Sequence, residues 1–132
     1  MNKVVARLTD GTTHKGLTSD FSPMKDVFHL IEANAAPGDP PLTVRIPQMK
    51  ALFFVKDLIG DPDYVEKKEF DDSCPLEGRP IKVVFKDGEV LLGTTTGYSP
   101  SRPGLFLVPA DPGSNIERCY VVAASTQEIS WV

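Results

Sequence analysis

The sequence predicts an all-β protein made of two tandem, pseudo-symmetric five-stranded barrels joined by a short helical connector. Three observations predict it. First, residues 10–23 read DGTTHKGLTSDFSP and residues 87–100 read DGEVLLGTTTGYSP, so the chain states one stretch twice. An offset of 77 residues aligns 4–55 with 81–132 without a gap and gives ten identical pairs, among them Asp10/Asp87, Gly11/Gly88, Gly16/Gly93 and Pro23/Pro100. Matched turn residues in one ungapped register mark an internal duplication. Second, apolar and polar residues alternate within each copy, the period of a half-buried strand. Third, Gly and Pro punctuate the copies at short intervals, as turns between short strands require.

Each element follows from the residues in order. Val4, Ala6 and Leu8 form one face of a first strand, and the second copy repeats the phase with Ile81, Val83 and Phe85. Asp10-Gly11 supplies a hairpin, because Gly accepts the positive φ that such turns need. Residues 13–21 are the second strand. Gly16 sits within it and recurs as Gly93, which predicts a sharp bend or bulge. Ser22-Pro23 ends the strand, since Pro cannot donate to a ladder. Residues 27–33 form the third strand, with Phe28 and Leu30 on one face and His29 and Ile31 on the other. A Pro/Gly-rich loop over 34–41 leads to a fourth strand through Leu42, Val44 and Ile46. A 3₁₀ turn is expected at residues 47–50 and a short fifth strand at 52–55. The first unit therefore covers 1–56 and the second 80–132. The connector, 57–79, carries Asp61-Pro62-Asp63 as a start signal for a short helix through residue 68.

Five short strands, the second bent and the last preceded by a turn, describe a small SH3-like or Sm-like barrel. The apolar strand, the Asp-Gly turn, the Gly five residues on and the short terminal strand resemble the Sm-like and Hfq-like family over each repeat. That resemblance implies RNA binding, with a uridine pocket that uses an Asn in the loop before the third strand. Here those loops read Ser22-Pro23-Met24-Lys25-Asp26 and Ser99-Pro100-Ser101-Arg102-Pro103, with no Asn in either. The segment KALFFVKD at 50–57 is similar to one in uncharacterised bacterial proteins, some of them associated with PilZ domains. That likeness implies cyclic-dinucleotide sensing. Of the PilZ pattern, Asp20-Phe21-Ser22 matches the start of its second element, and the Arg-x-x-x-Arg element is absent.

Composition narrows the function classes. The 132 residues carry 41% hydrophobic residues and a formal net charge of −4, which suits a globular chain and argues against a dedicated nucleic-acid binder. No apolar run approaches membrane-span length. No secretory signal is visible, and Cys74 and Cys119 fall at unmatched positions, so reduced thiols in the cytoplasm are expected.

Catalytic machinery is not expected. The histidines, His14 and His29, lack metal-ligand spacing, the Ser-Pro serines lack a nucleophile context, and the glycine patterns are not phosphate loops. No cofactor and no metal are expected. Two features remain. Lys25 and Arg102 are equivalent loop-tip cations that could bind an acidic peptide or a phosphate, and Lys25, Arg45 or Arg102 would serve the ligand of a PilZ-like sensor. On the face expected to point outward, Val84, Leu91, Leu92, Phe106 and Val122 replace Arg7, His14, Lys15, His29 and Arg45 of the first copy. Such an apolar patch predicts packing against the first repeat or a second subunit. The expected function is a non-enzymatic binding or adaptor module that works through contacts with a partner protein, with homo-oligomerisation open. The alternatives are a PilZ-like cyclic-dinucleotide or small-ligand sensor and an Sm-like RNA binder.

Overall fold

The computed structural model describes residues 1–59, 78–111 and 113–132. Ten strands are β1 (Asn2–Leu8), β2 (Thr13–Thr18), β3 (Val27–Glu32), β4 (Leu42–Arg45), β5 (Met49–Val55), β6 (Arg79–Phe85), β7 (Val90–Thr95), β8 (Gly104–Pro109), β9 (Ile116–Val122) and β10 (Thr126–Trp131). They form one antiparallel sheet in the order β10-β6-β7-β8-β9-β5-β1-β2-β3-β4. The protein is all-β, and among the described residues two 3₁₀ turns, Ile46–Gln48 and Ala123–Ser125, precede β5 and β10. The connector helix expected at residues 61–68 lies outside the described residues.

The pairings recur at the spacing of the sequence repeat. Val4 faces Gly16 and Ile81 faces Gly93; Ala6 faces Leu52 and Val83 faces Ile129. The Asp-Gly hairpins match as well: Gly11 and Gly88 both have φ of 91°, and Asp10 and Asp87 accept hydrogen bonds from the N–H groups of Thr12 and Glu89.

Gly16 and Gly93 need a different explanation from a bulge. The β1–β2 register runs through Gly16 unbroken. A Cβ at Gly16 would lie 2.0 Å from the Ile31 carbonyl oxygen, and one at Gly93 would lie 2.1 Å from that of Val108. The glycines let the next strand cross close by. The second strand also stops at Thr18 rather than continuing to Phe21, because side chains take over the pairing. Thr18 Oγ1 donates to the His29 carbonyl, and the Asp20 carboxylate accepts from the His29 N–H. Ile46 lies in the 3₁₀ turn, which starts one residue earlier than expected, and the fifth strand begins at Met49.

The core is divided in two, and β5 separates the parts. Leu52 and Phe54 belong to one cluster with Val4, Phe28 and Leu30. Ala51, Phe53 and Val55 belong to the other with Ile81, Val83 and Phe85. Strand neighbours point to opposite faces, so every residue of β5 is buried. Its partner β9 does the same: Tyr120 and Val122 join the first cluster, Cys119 and Val121 the second. The β5–β9 ladder is thus a wall common to both cores, and burying a large side chain there contributes about 1.5–3 kcal/mol. One end of the wall is fixed by charge. Lys50 is 8% exposed. Its Nζ lies 2.8 Å from Asp87 and 3.3 Å from Glu89, and 4.5 Å from the Phe85 ring centroid.

Candidate functional site

The Ser-Pro turns that follow β2 and β7 are built alike. The Ser22 and Ser99 hydroxyls accept from the N–H groups of Met24 and Ser101, and the N–H groups of Lys25 and Arg102 donate to the Ser22 and Ser99 carbonyls. Pro presets such a turn and Ser caps it. Residues of both turns, Pro23 and Met24 of the first and Arg102 and Pro103 of the second, line one groove.

The groove has a cavity volume of about 710 Å³, with Pro23 and Met24 from the first half and Arg102, Pro103, Phe106 and Tyr120 from the second among its lining residues. A smaller one of about 350 Å³, lined by Lys25, Ile46, Pro47 and Ala123, shares Pro23, Met24, Pro103 and Tyr120 with it. The two run into each other around those shared residues. The floor is aromatic. Phe106 and Tyr120 lie with ring centroids 5.1 Å apart, and Tyr120 meets Phe21 edge-on at 5.3 Å. Such pairs add about 0.5–1.5 kcal/mol beyond area burial, so the floor is rigid. The lip faces solvent: Met24 is 92% exposed.

The residues singled out in the sequence fall into three groups. Lys25 and Arg102 come to adjoining parts of this groove. Among the described residues neither has an ion-pair partner. Arg45 is exposed at the end of β4, opposite Val27, and lines neither part. Of the apolar set, Phe106 and Val122 pack against the first cluster, so they lie where the halves meet. Leu91 instead points inward: it is 2% exposed and part of the second cluster. The outward position expected for it is corrected by the strand phase, because Leu91 pairs with inward-facing Val83. Val84 and Leu92 are half-buried and belong to neither cluster.

Neither histidine lines the groove. The two histidines each meet a carboxylate. His29 Nδ1 is 2.8 Å from Asp20 and His14 Nδ1 is 3.6 Å from Glu32. The His29 N–H, then its ring, hold the Asp20 carboxyl below the ordinary carboxylate range. Among the described residues no group of His, Cys, Asp and Glu could hold a metal ion; Cys74 lies outside them. Burial pushes the Tyr120 hydroxyl above the usual phenol range. Sequence reasoning missed Tyr120, Met24 and Pro103. Tyr120 stands where the first copy has Thr43, the same polar-to-apolar exchange that marked Phe106 and Val122, and that signal could have found it.

Fold and groove together define an all-β protein with a concave, largely apolar groove lined from both halves of a continuous sheet. The chain belongs to a family of unknown function, DUF6982, which matches residues 1–132. No curated protein and no solved structure matches it. Among the described residues no helix is long and apolar enough to cross a membrane.

Proposed function

We propose that the protein is a non-enzymatic binding module, two small barrels of the SH3-like or Sm-like kind set side by side, that engages a partner protein through the groove between them. The matched five-strand registers and the separate core clusters support the barrel reading. The observation that carries the function is the groove itself: a rigid floor of Phe106 and Tyr120, proline walls and an exposed methionine lip. Concave, largely apolar surfaces with a few placed polar groups are the default for recognition, and Met adapts to partners of varied shape.

Met24 touches solvent almost entirely, so Met24→Asp alters the lip without disturbing the core. Affinity capture from the native cytoplasm with the wild-type chain and with Met24→Asp is the test. A discrete protein retained by the former and lost from the latter is the expected result. Retention of the same protein by both would move the binding surface elsewhere.

Arg102 beside an aromatic floor also favours a second reading, a sensor of cyclic dinucleotides, since a guanidinium pairs with phosphate and rings stack on bases. A thermal shift with a cyclic dinucleotide that Arg102→Ala abolishes would support that reading over the first.

A further inference from the structure

We infer that the groove is a site for an extended peptide that sets a single carboxylate beside an apolar side chain, with Tyr120 and Arg102 as anchors for the carboxylate. This deepens, and rests on, the protein-binding reading above. Tyr120 is 2% exposed. Its hydroxyl has no hydrogen-bond partner among the described residues. Every fully buried side-chain nitrogen or oxygen among them does have one, so this hydroxyl keeps access to the groove that its ring lines. It stays protonated at neutral pH and offers a donor.

The missing side chain at Gly104 is what gives the hydroxyl room to sit at the groove. A Cβ at Gly104 would lie 2.5 Å from the Tyr120 hydroxyl and 2.4 Å from the Val121 carbonyl oxygen. Arg102 supplies the second donor from the groove wall, where its Nη1 lies 3.8 Å from the position of a Cβ on Gly97. A neutral acceptor would pair with the hydroxyl and leave the guanidinium unmatched. The two oxygens of a carboxylate can serve both.

The charge count favours one negative charge over two. In the adjoining part of the groove Lys25 stands next to Asp26, which opposes a second anion. The rest of the ligand is apolar by the same logic, since it must cover Phe106, Pro23, Pro103 and the Met24 lip. The two parts of the groove share their central residues, so a segment crossing from one to the other is extended.

The test is an NMR titration of the full chain with acetyl-Pro-Leu-Glu-Leu-Pro-amide and with the same peptide carrying Gln in place of Glu. The Glu peptide should move the amide resonances of residues 95–97, 102 and 104–106. It should bind at least about 5-fold more tightly than the Gln peptide, the scale of a charge-assisted hydrogen bond. Tyr120→Phe and Arg102→Ala should each weaken it by about 5–10-fold, and Arg102→Ala, at an exposed position, should leave the melting temperature unchanged. Equal affinity for the two peptides, full affinity in Tyr120→Phe, or no movement of groove resonances at millimolar peptide would overturn the assignment. Tighter binding of a phosphoserine version would overturn the single-charge requirement. Met24-dependent capture of a protein alongside a negative peptide result removes the carboxylate assignment and leaves the binding module standing; loss of both removes both.

Discussion

A methyl group added at Gly16 or Gly93 would meet a carbonyl oxygen of the neighbouring strand at about two thirds of the distance that carbon and oxygen tolerate, 2.0 and 2.1 Å. The obstacle is backbone, which cannot rotate away. Gly16→Ala and Gly93→Ala should therefore each lower stability by about 1–3 kcal/mol, as overpacked sites do, measured by urea unfolding; an unchanged midpoint would show that the strands can part. Lys50 sets a second residue-scale expectation. Its hydrogen bond to Asp87 is the main reason the Asp87 carboxyl sits below the ordinary range. A depressed carboxyl contributes stability that is complete above the unfolded value, near 3.9, and is lost as pH falls through the folded one. Wild-type protein should then lose more stability than Lys50→Met on acidification from about pH 5 to pH 2. Parallel curves for the two proteins would remove the ion pair from the account of how the halves are held.

At the scale of the element, β5 and β10 are the same strand in different surroundings. β5 reads MKALFFV and is buried throughout; β10 reads TQEISW and is half-buried or exposed. Phe54 is 4% exposed and touches Phe21 of its own half and Phe106 of the other. Phe54→Ala should cost about 3–5 kcal/mol and lower one common unfolding transition, followed by circular dichroism and by Tyr and Trp fluorescence together. Two separate transitions would show that the wall does not couple the cores. Much of this was legible beforehand. Alternation in Val4-Ala6-Leu8 and in Phe28-Leu30 is visible because those strands bury one face. The full length of β5 was not, because a run apolar on both faces has no period to read. The inward direction of Leu91 and the end of β2 at Thr18 were hidden for other reasons. Leu91 has apolar Val90 and Leu92 on either side, so no alternation gives its phase, and β2 ends through hydrogen bonds from side chains of Thr18 and Asp20. The groove was half legible. Lys25 and Arg102 were matched by the repeat and Tyr120 was marked by its exchange for Thr43, but the pairing of β5 with β9, which brings residues of both halves to one groove, is not encoded in local sequence.

At the scale of the whole molecule, the pairing of β5 with β9 leaves β4 and β10 as the outer strands of the sheet. Both differ from their inner counterparts. Where β5 has Lys50, Ala51 and Phe53, β10 has Gln127, Glu128 and Ser130. Where β9 has Glu117 and Arg118, the approach to β4 has Pro40 and Pro41, which lack the N–H a ladder needs. Trp131 is shielded in part by the Arg79 guanidinium, 4.2 Å from its ring centroid. Polar and proline residues on outer strands discourage further pairing. Gln127→Lys, Glu128→Ala and Ser130→Phe together restore the inner pattern and should raise the mass seen by light scattering above that of wild type; an unchanged mass would mean that the prolines of β4 suffice.

Those polar outer margins also bear on how such a protein could grow. A third copy added after residue 132 would find Gln127 and Glu128 where the second copy found Lys50 and Ala51, and so no apolar seam to close against. A further unit could join the sheet at β10 only if that strand first carried the apolar residues that β5 carries.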